Sequence, residues 1–147
     1  MLMTLRTHWP EYLMEAAELG AFMVSAAVFS ALLYYPASPV TIPVEGDVAR
    51  RIVIGLLMGA TAIGLVRSPW GRRSGAHMNP ALTLTFLRLG KIAPWDAVFY
   101  VAAQFAGGVA GMVAAVTLIG PALGSPEVNY VATQPGTPGP PGRPRSN

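Results

Sequence analysis

The sequence predicts an all-α membrane protein with three transmembrane helices and one re-entrant half-helix. Three observations carry this. The chain is 52% hydrophobic and only 12% charged, with a mean hydropathy of +0.46; soluble domains carry about 25% charged residues, twice as many. Three apolar runs are long enough, or flanked so as to be long enough, to cross a bilayer. Between the second and third lies an apolar helical segment too short to do so.

The first span is read as 12–35, Tyr12 to Tyr35, interrupted only by Glu15 and Glu18. Residues 1–11 are expected to form a separate cytoplasmic N-terminus. The run has no Ala-x-Ala cleavage pattern, so it is not read as a removable signal peptide. Pro36, Pro39 and Pro43 then force a loop. The second span, 48–67, has its apolar centre at Ile52 to Val66 between Arg50, Arg51 and Arg67, whose long side chains can snorkel and extend a short run. The third span, 94–120, opens at Pro94 and Asp96, is apolar from Ala97 to Gly120, and closes at Pro121. Its Gly107, Gly108 and Gly111, with Ala103, Ala106 and Ala110, form a small-residue face suited to close helix packing.

Residues 68–91 are read as the re-entrant loop and half-helix. Asn79 followed by Pro80 is a strong helix start, because the Asn side chain satisfies an orphan N–H and Pro lacks one. The helix from Asn79 to Leu89 ends at Arg88, Gly90 and Lys91, residues that favour a C-terminus. It reaches roughly 16 Å, about half of a ~30 Å hydrocarbon core. Its approach, Ser74-Gly75-Ala76-His77-Met78, is expected to be non-helical. Such backbone is tolerated at membrane depth only where it lines a cavity or is buried in protein.

A helix N-terminus at mid-membrane offers free N–H groups and about half a positive charge. It repels cations and donates hydrogen bonds to neutral polar molecules. Asn79 would add its side-chain amide as a donor, and the carbonyls of Gly75, Ala76, His77 and Met78 would form a ladder of acceptors. This is the design of a path for water or a small uncharged solute. His77 either orients that loop or fills space between helices. For Glu15, an intramembrane carboxylate, a structural hydrogen-bonding role is expected. For Glu18, partial exposure near the interface is an equal alternative. Gln104 reads as helix-to-helix glue.

The motif Ser74-Gly-Ala-His-Met-Asn-Pro-Ala-Leu-Thr83 resembles the first Asn-Pro-Ala loop of the aquaporin (major intrinsic protein) family. Tyr100-Val-Ala-Ala-Gln104-Phe-Ala-Gly-Gly108 resembles that family's third helix, and Glu15 its buried first-helix glutamate. Asn129-Tyr-Val-Ala-Thr-Gln-Pro-Gly136 resembles its central extracellular loop. The resemblance implies that Asn79 is a pore donor, that Pro80 and Ala81 are its structural partners, and that Glu15 and Gln104 hold the loop backbone. It assigns Met58 to the second-helix selectivity position. It also implies passive permeation, tetramers of complete subunits and no cofactor. The fold implied is the first inverted repeat alone, since the second Asn-Pro-Ala motif and its spans do not follow. Glu18 departs from the family pattern, which has glycine or another small residue there. Residues 124–135 read as an extracellular loop remnant and 136–147 as a disordered Pro/Gly-rich tail. A truncated or frame-shifted product is expected. The rivals are a non-conducting fragment, or a small membrane subunit that binds a partner through its glycine-rich third span.

The loop between the second and third spans holds Arg67, Arg72, Arg73, Arg88 and Lys91 without an acid, which predicts a cytoplasmic location for it and for the N-terminus. An inner-membrane, multi-pass protein is the expectation. The net charge of +3 is too small to indicate nucleic acid. With no cysteine, disulfides and thiolate metal sites are excluded, and no metal site is expected. No cluster of nucleophile, base and acid points to an enzyme.

Overall fold

A computed structural model describes residues 1–38 and 46–132. The helices are α1 (Leu2–Tyr34), α2 (Asp47–Arg67), α3 (Pro69–Ser74), α4 (Pro80–Arg88) and α5 (Pro94–Ile119), followed by 3₁₀ turns at Gly120–Gly124 and Asn129–Val131. The helices containing α1, α2 and α5 are long and apolar enough to cross a membrane. The expected tail 136–147 lies outside the described residues, as do residues 133–135 of the expected loop remnant.

Two helix extents need correction. α1 begins at Leu2 rather than Tyr12 and runs through Pro10. Pro10 sits in the third turn, where it removes the backbone bond to the Arg6 carbonyl. The added turns are anchored by side chains. His8 Nδ1 lies 2.8 Å from Asp96 Oδ1 in the first turn of α5, and Arg73 donates to Glu11 across 2.9 Å. The second correction is α3, a helix inside the expected loop. Ser68 caps it by accepting from Gly71 N at 2.9 Å, and Pro69 occupies its first turn. This is the same cap-then-proline grammar as Asn79-Pro80. α3 folds back tightly on α2, since a Cβ on Gly71 would lie 2.2 Å from the Leu65 carbonyl oxygen.

α1 and α5 form the largest interface, α4 packs on α5, α3 packs on α1 and α2, and α2 leans on α1. The buried residues of α5 (Ala97, Tyr100, Gln104, Gly107, Gly111 and Ala115) fall three and four apart, a single helical face. Against it α1 buries Tyr12, Glu15, Glu18, Gly20 and Ala27. At the centre of this seam the backbones touch. A Cβ on Gly107 would meet the Ala16 carbonyl oxygen at 2.0 Å, and one on Gly111 the Gly20 oxygen at 2.5 Å. The small-residue face is therefore narrower than expected. Gly107 and Gly111 are used by α1, whereas Ala106 and Ala110 are exposed. No described residue of α2 is buried.

The interior is thus small and divided between polar groups around Glu15 and an apolar cluster of Ala27, Ala115, Leu123 and Val128, while Phe105, Val109, Val113 and Leu118 of α5 and Leu56 and Ile63 of α2 face outward. In lipid the outer surface meets a solvent as apolar as itself, so cohesion comes from close packing and hydrogen bonds.

Candidate functional site

The chain between α3 and α4 is a short length of irregular backbone held in the protein interior. Gly75, Ala76 and Met78 have φ of 96°, 47° and 46°, in the left-handed region. For Ala and Met this conformation costs of order 1 kcal/mol or more each and persists only where surroundings enforce it.

The enforcement comes from α1 and α5. Glu15, fully buried, accepts from the backbone N–H of His77 at 2.7 Å with Oε1 and of Met78 at 2.8 Å with Oε2. Gln104, also fully buried, donates from Nε2 to Glu15 Oε2 at 2.9 Å and to Thr83 Oγ1 at 3.0 Å. Tyr100 donates its hydroxyl to the Ser74 carbonyl at 2.7 Å. Charge-assisted bonds of this kind are the stronger class, and each donor would otherwise be stranded without water. These ties on residues 76–78 run through N–H groups.

His77 points its ring inward. It is buried, stacked 4.8 Å from Phe86 and 5.1 Å from Tyr100 between centroids, with Nδ1 3.1 Å from Thr83 Oγ1. The ring both fills space and binds the first turn of α4, which joins the two alternatives read from the sequence.

Asn79 caps α4. Its Oδ1 accepts from Ala81 N at 2.8 Å, and Pro80 opens the helix. With Oδ1 committed, the amide N–H₂ is the remaining end of a side chain that is itself exposed. α4 ends with Lys91 N donating to Phe86 O at 2.9 Å across Gly90, whose φ is 67°.

This arrangement is matched by a family model. The model for major intrinsic proteins aligns with residues 10–137, most of the chain. The chain belongs to that family. Among curated members, the lens fiber major intrinsic protein of Lithobates pipiens is 44% identical over 63 residues, which is 43% of this chain and 24% of the relative. Aquaporin A of Dictyostelium discoideum is 38% identical over 68 residues, 46% of this chain and 24% of the relative. Aquaporin-2 of Macroscelides proboscideus is 40% identical over 73 residues, 50% of this chain and 61% of the relative. The chain thus covers about a quarter of the length of the first two relatives. No solved structure matches it significantly.

Within this major intrinsic protein, Gly75, Ala76, His77, Met78, Asn79, Pro80 and Ala81 form one continuous turn, and Glu15 and Gln104 meet it directly. Met58 is half-buried on α2. Of the two alternatives read for Glu18, burial holds: it is fully buried and accepts from Ser74 Oγ at 3.2 Å.

Three contributors escaped the sequence reading. Thr83, fully buried, is the hub between His77, Gln104 and the Asn79 carbonyl, which its hydroxyl approaches at 3.3 Å. Its place one turn after Asn79 was the available signal. Tyr100 and Ser74 sit inside quoted motifs, but nothing in the spacing says that one bonds the other.

Proposed function

We propose that the protein forms part of a passive membrane path for water or a small neutral solute of the glycerol class, running past the Asn79 turn. The observation that carries this is α4 itself: nine residues, roughly 13 Å of helix, with its N-terminus anchored inside the protein by a buried carboxylate on a long apolar helix. A short helix whose entry is tied to that carboxylate through the preceding turn is held so as to present its N-terminal end.

In this reading the Asn79 amide donates to the permeant, and the positive end of α4 opposes cations. The carbonyls of Gly75, Ala76, His77 and Met78 are the acceptors on the approach. Pro80 and Ala81 set the turn, and Glu15 and Gln104 keep it rigid. Met58 is assigned to selectivity by family resemblance alone. The path involves no covalent chemistry and no cofactor. The arginine-rich segment supports a cytoplasmic side for the loop and the N-terminus in an inner membrane. Resemblance to complete members supports a homo-tetramer.

The rival reading, partner binding through the glycines of α5, loses its main support because Gly107 and Gly111 are spent on α1. The test is stopped-flow swelling of proteoliposomes holding the purified chain. The proposal expects water permeability above empty liposomes, reduced by Asn79→Asp, which keeps the helix cap but replaces the amide donor. Permeability equal to that of empty liposomes refutes it for this chain.

A further inference from the structure

We infer that Glu18 and Ser74 form a second positioning pair for the turn, separate from Glu15, fixing the peptide of Ala76 as Glu15 fixes those of His77 and Met78. This rests on the reading of the 74–78 loop as a pore wall.

Glu18 follows Glu15 by one helical turn on the same face of α1, and both are fully buried. Their situations differ. Glu15 uses both oxygens on three donors. Glu18 uses only Oε2, on Ser74 Oγ, and its buried Oε1 has no partner among the described residues. A buried carboxyl left half-satisfied is costly, and packing does not call for one at a position flanked by the Gly20 contact. Ser74 supplies the reason. Its Oγ accepts from Ala76 N at 3.0 Å. A hydroxyl has one hydrogen, so while its lone pair faces Ala76 that hydrogen needs an acceptor elsewhere. Glu18 is that acceptor.

Ala76, with φ of 47°, depends on such a tie. The Ser74 carbonyl is clamped independently by Tyr100. Two carboxyl groups one turn apart on α1 thus hold successive stretches of the loop, and the Glu18 pair sets the direction of the Gly75 carbonyl, which shares a planar peptide with the Ala76 N–H.

The test is amide hydrogen exchange on the full chain in lipid nanodiscs. Glu18→Ala and Ser74→Ala are each expected to speed exchange at Ala76 N–H about tenfold, equivalent to ~1.4 kcal/mol. The double variant should go no further, and Glu18→Gln, which retains an acceptor for the Ser74 hydroxyl, should stay near wild type. The proposal is overturned by unchanged exchange at Ala76 in Ser74→Ala, by strictly additive effects of the two alanine variants, or by Glu18→Gln behaving like Glu18→Ala. It is equally overturned if Glu18→Ala speeds exchange uniformly along α1 and α5, the mark of lost packing alone. Swelling rates of the same variants address the channel reading separately, because exchange at Ala76 does not depend on flux.

Discussion

Gly107 and Gly108 are chemically identical neighbours with opposite prospects. A methyl group at Gly107 would place its carbon 2.0 Å from the Ala16 carbonyl oxygen, about 1.4 Å inside the 3.4 Å at which ordinary van der Waals contact begins. The obstacle is backbone, so no rotamer change relieves it, and α1 must move away from α5. Ala16 is the residue after Glu15. A shift of that size stretches the 2.7 Å and 2.9 Å bonds that join Glu15 to His77 and Gln104 beyond hydrogen-bonding reach. Overpacking of this kind costs about 1–3 kcal/mol, and alanine returns about 0.5–1 kcal/mol of helix propensity. Gly107→Ala should therefore lose ~1 kcal/mol net. At Gly108 the new carbon would sit 3.6 Å from Leu19 Cδ2, an ordinary contact, so Gly108→Ala should be neutral or stabilising by up to ~1 kcal/mol. The assay is thermal unfolding in detergent together with amide exchange at His77 and Met78. Exchange there should rise about fivefold in Gly107→Ala, the equivalent of ~1 kcal/mol, and not in Gly108→Ala. Equal stability of the two variants would refute the packing argument. A destabilised Gly107→Ala with unchanged loop exchange would refute the coupling from seam to loop.

Further outcomes follow from the polar network. Thr83→Val keeps shape but strands Gln104 and His77 polar atoms, and should cost about 1–3 kcal/mol in thermal unfolding. Asn79→Ala removes the cap on Ala81 N and should lower stability by ~1 kcal/mol, with faster exchange confined to the first turn of α4. Asp96→Ala removes the partner of both His8 and the Tyr12 hydroxyl. It should loosen residues 2–11 and be read as several-fold faster tryptic cleavage after Arg6, while exchange in the Asn79 turn stays unchanged.

Periodicity and punctuation made the helices legible. Asn79-Pro80 and Pro94 mark the starts of α4 and α5, and apolar length marks the spans. Ser68-Pro69 carries the same signal for α3, but a six-residue helix has no apolar stripe to support it. The start of α1 was hidden since its extra turns are held from outside, by Asp96 and Arg73, and local propensity carries no trace of that. At the site, Asn79, Glu15 and Gln104 could be read through resemblance. Glu18 could not, because its burial is decided by Ser74, a residue 56 positions away. Nor could the division of the α5 glycines, since only the crossing with α1 distinguishes Gly107 from Gly108.

The spacing of the loop's partners along the chain also orders its assembly. Glu15 and Glu18 leave the ribosome first, the turn at residues 74–78 much later, and Tyr100 and Gln104 last. Until then α1 carries two carboxyl groups with nothing to bond, each costing a few kcal/mol at membrane depth, so α1 alone is a reluctant membrane segment. Its lasting residence is secured retroactively, when α3, the turn and α5 close around it. An insertion assay should accordingly find α1 less firmly integrated alone than when residues up to Ile119 follow it. The groups that shape the site are then the same ones that make early biogenesis precarious.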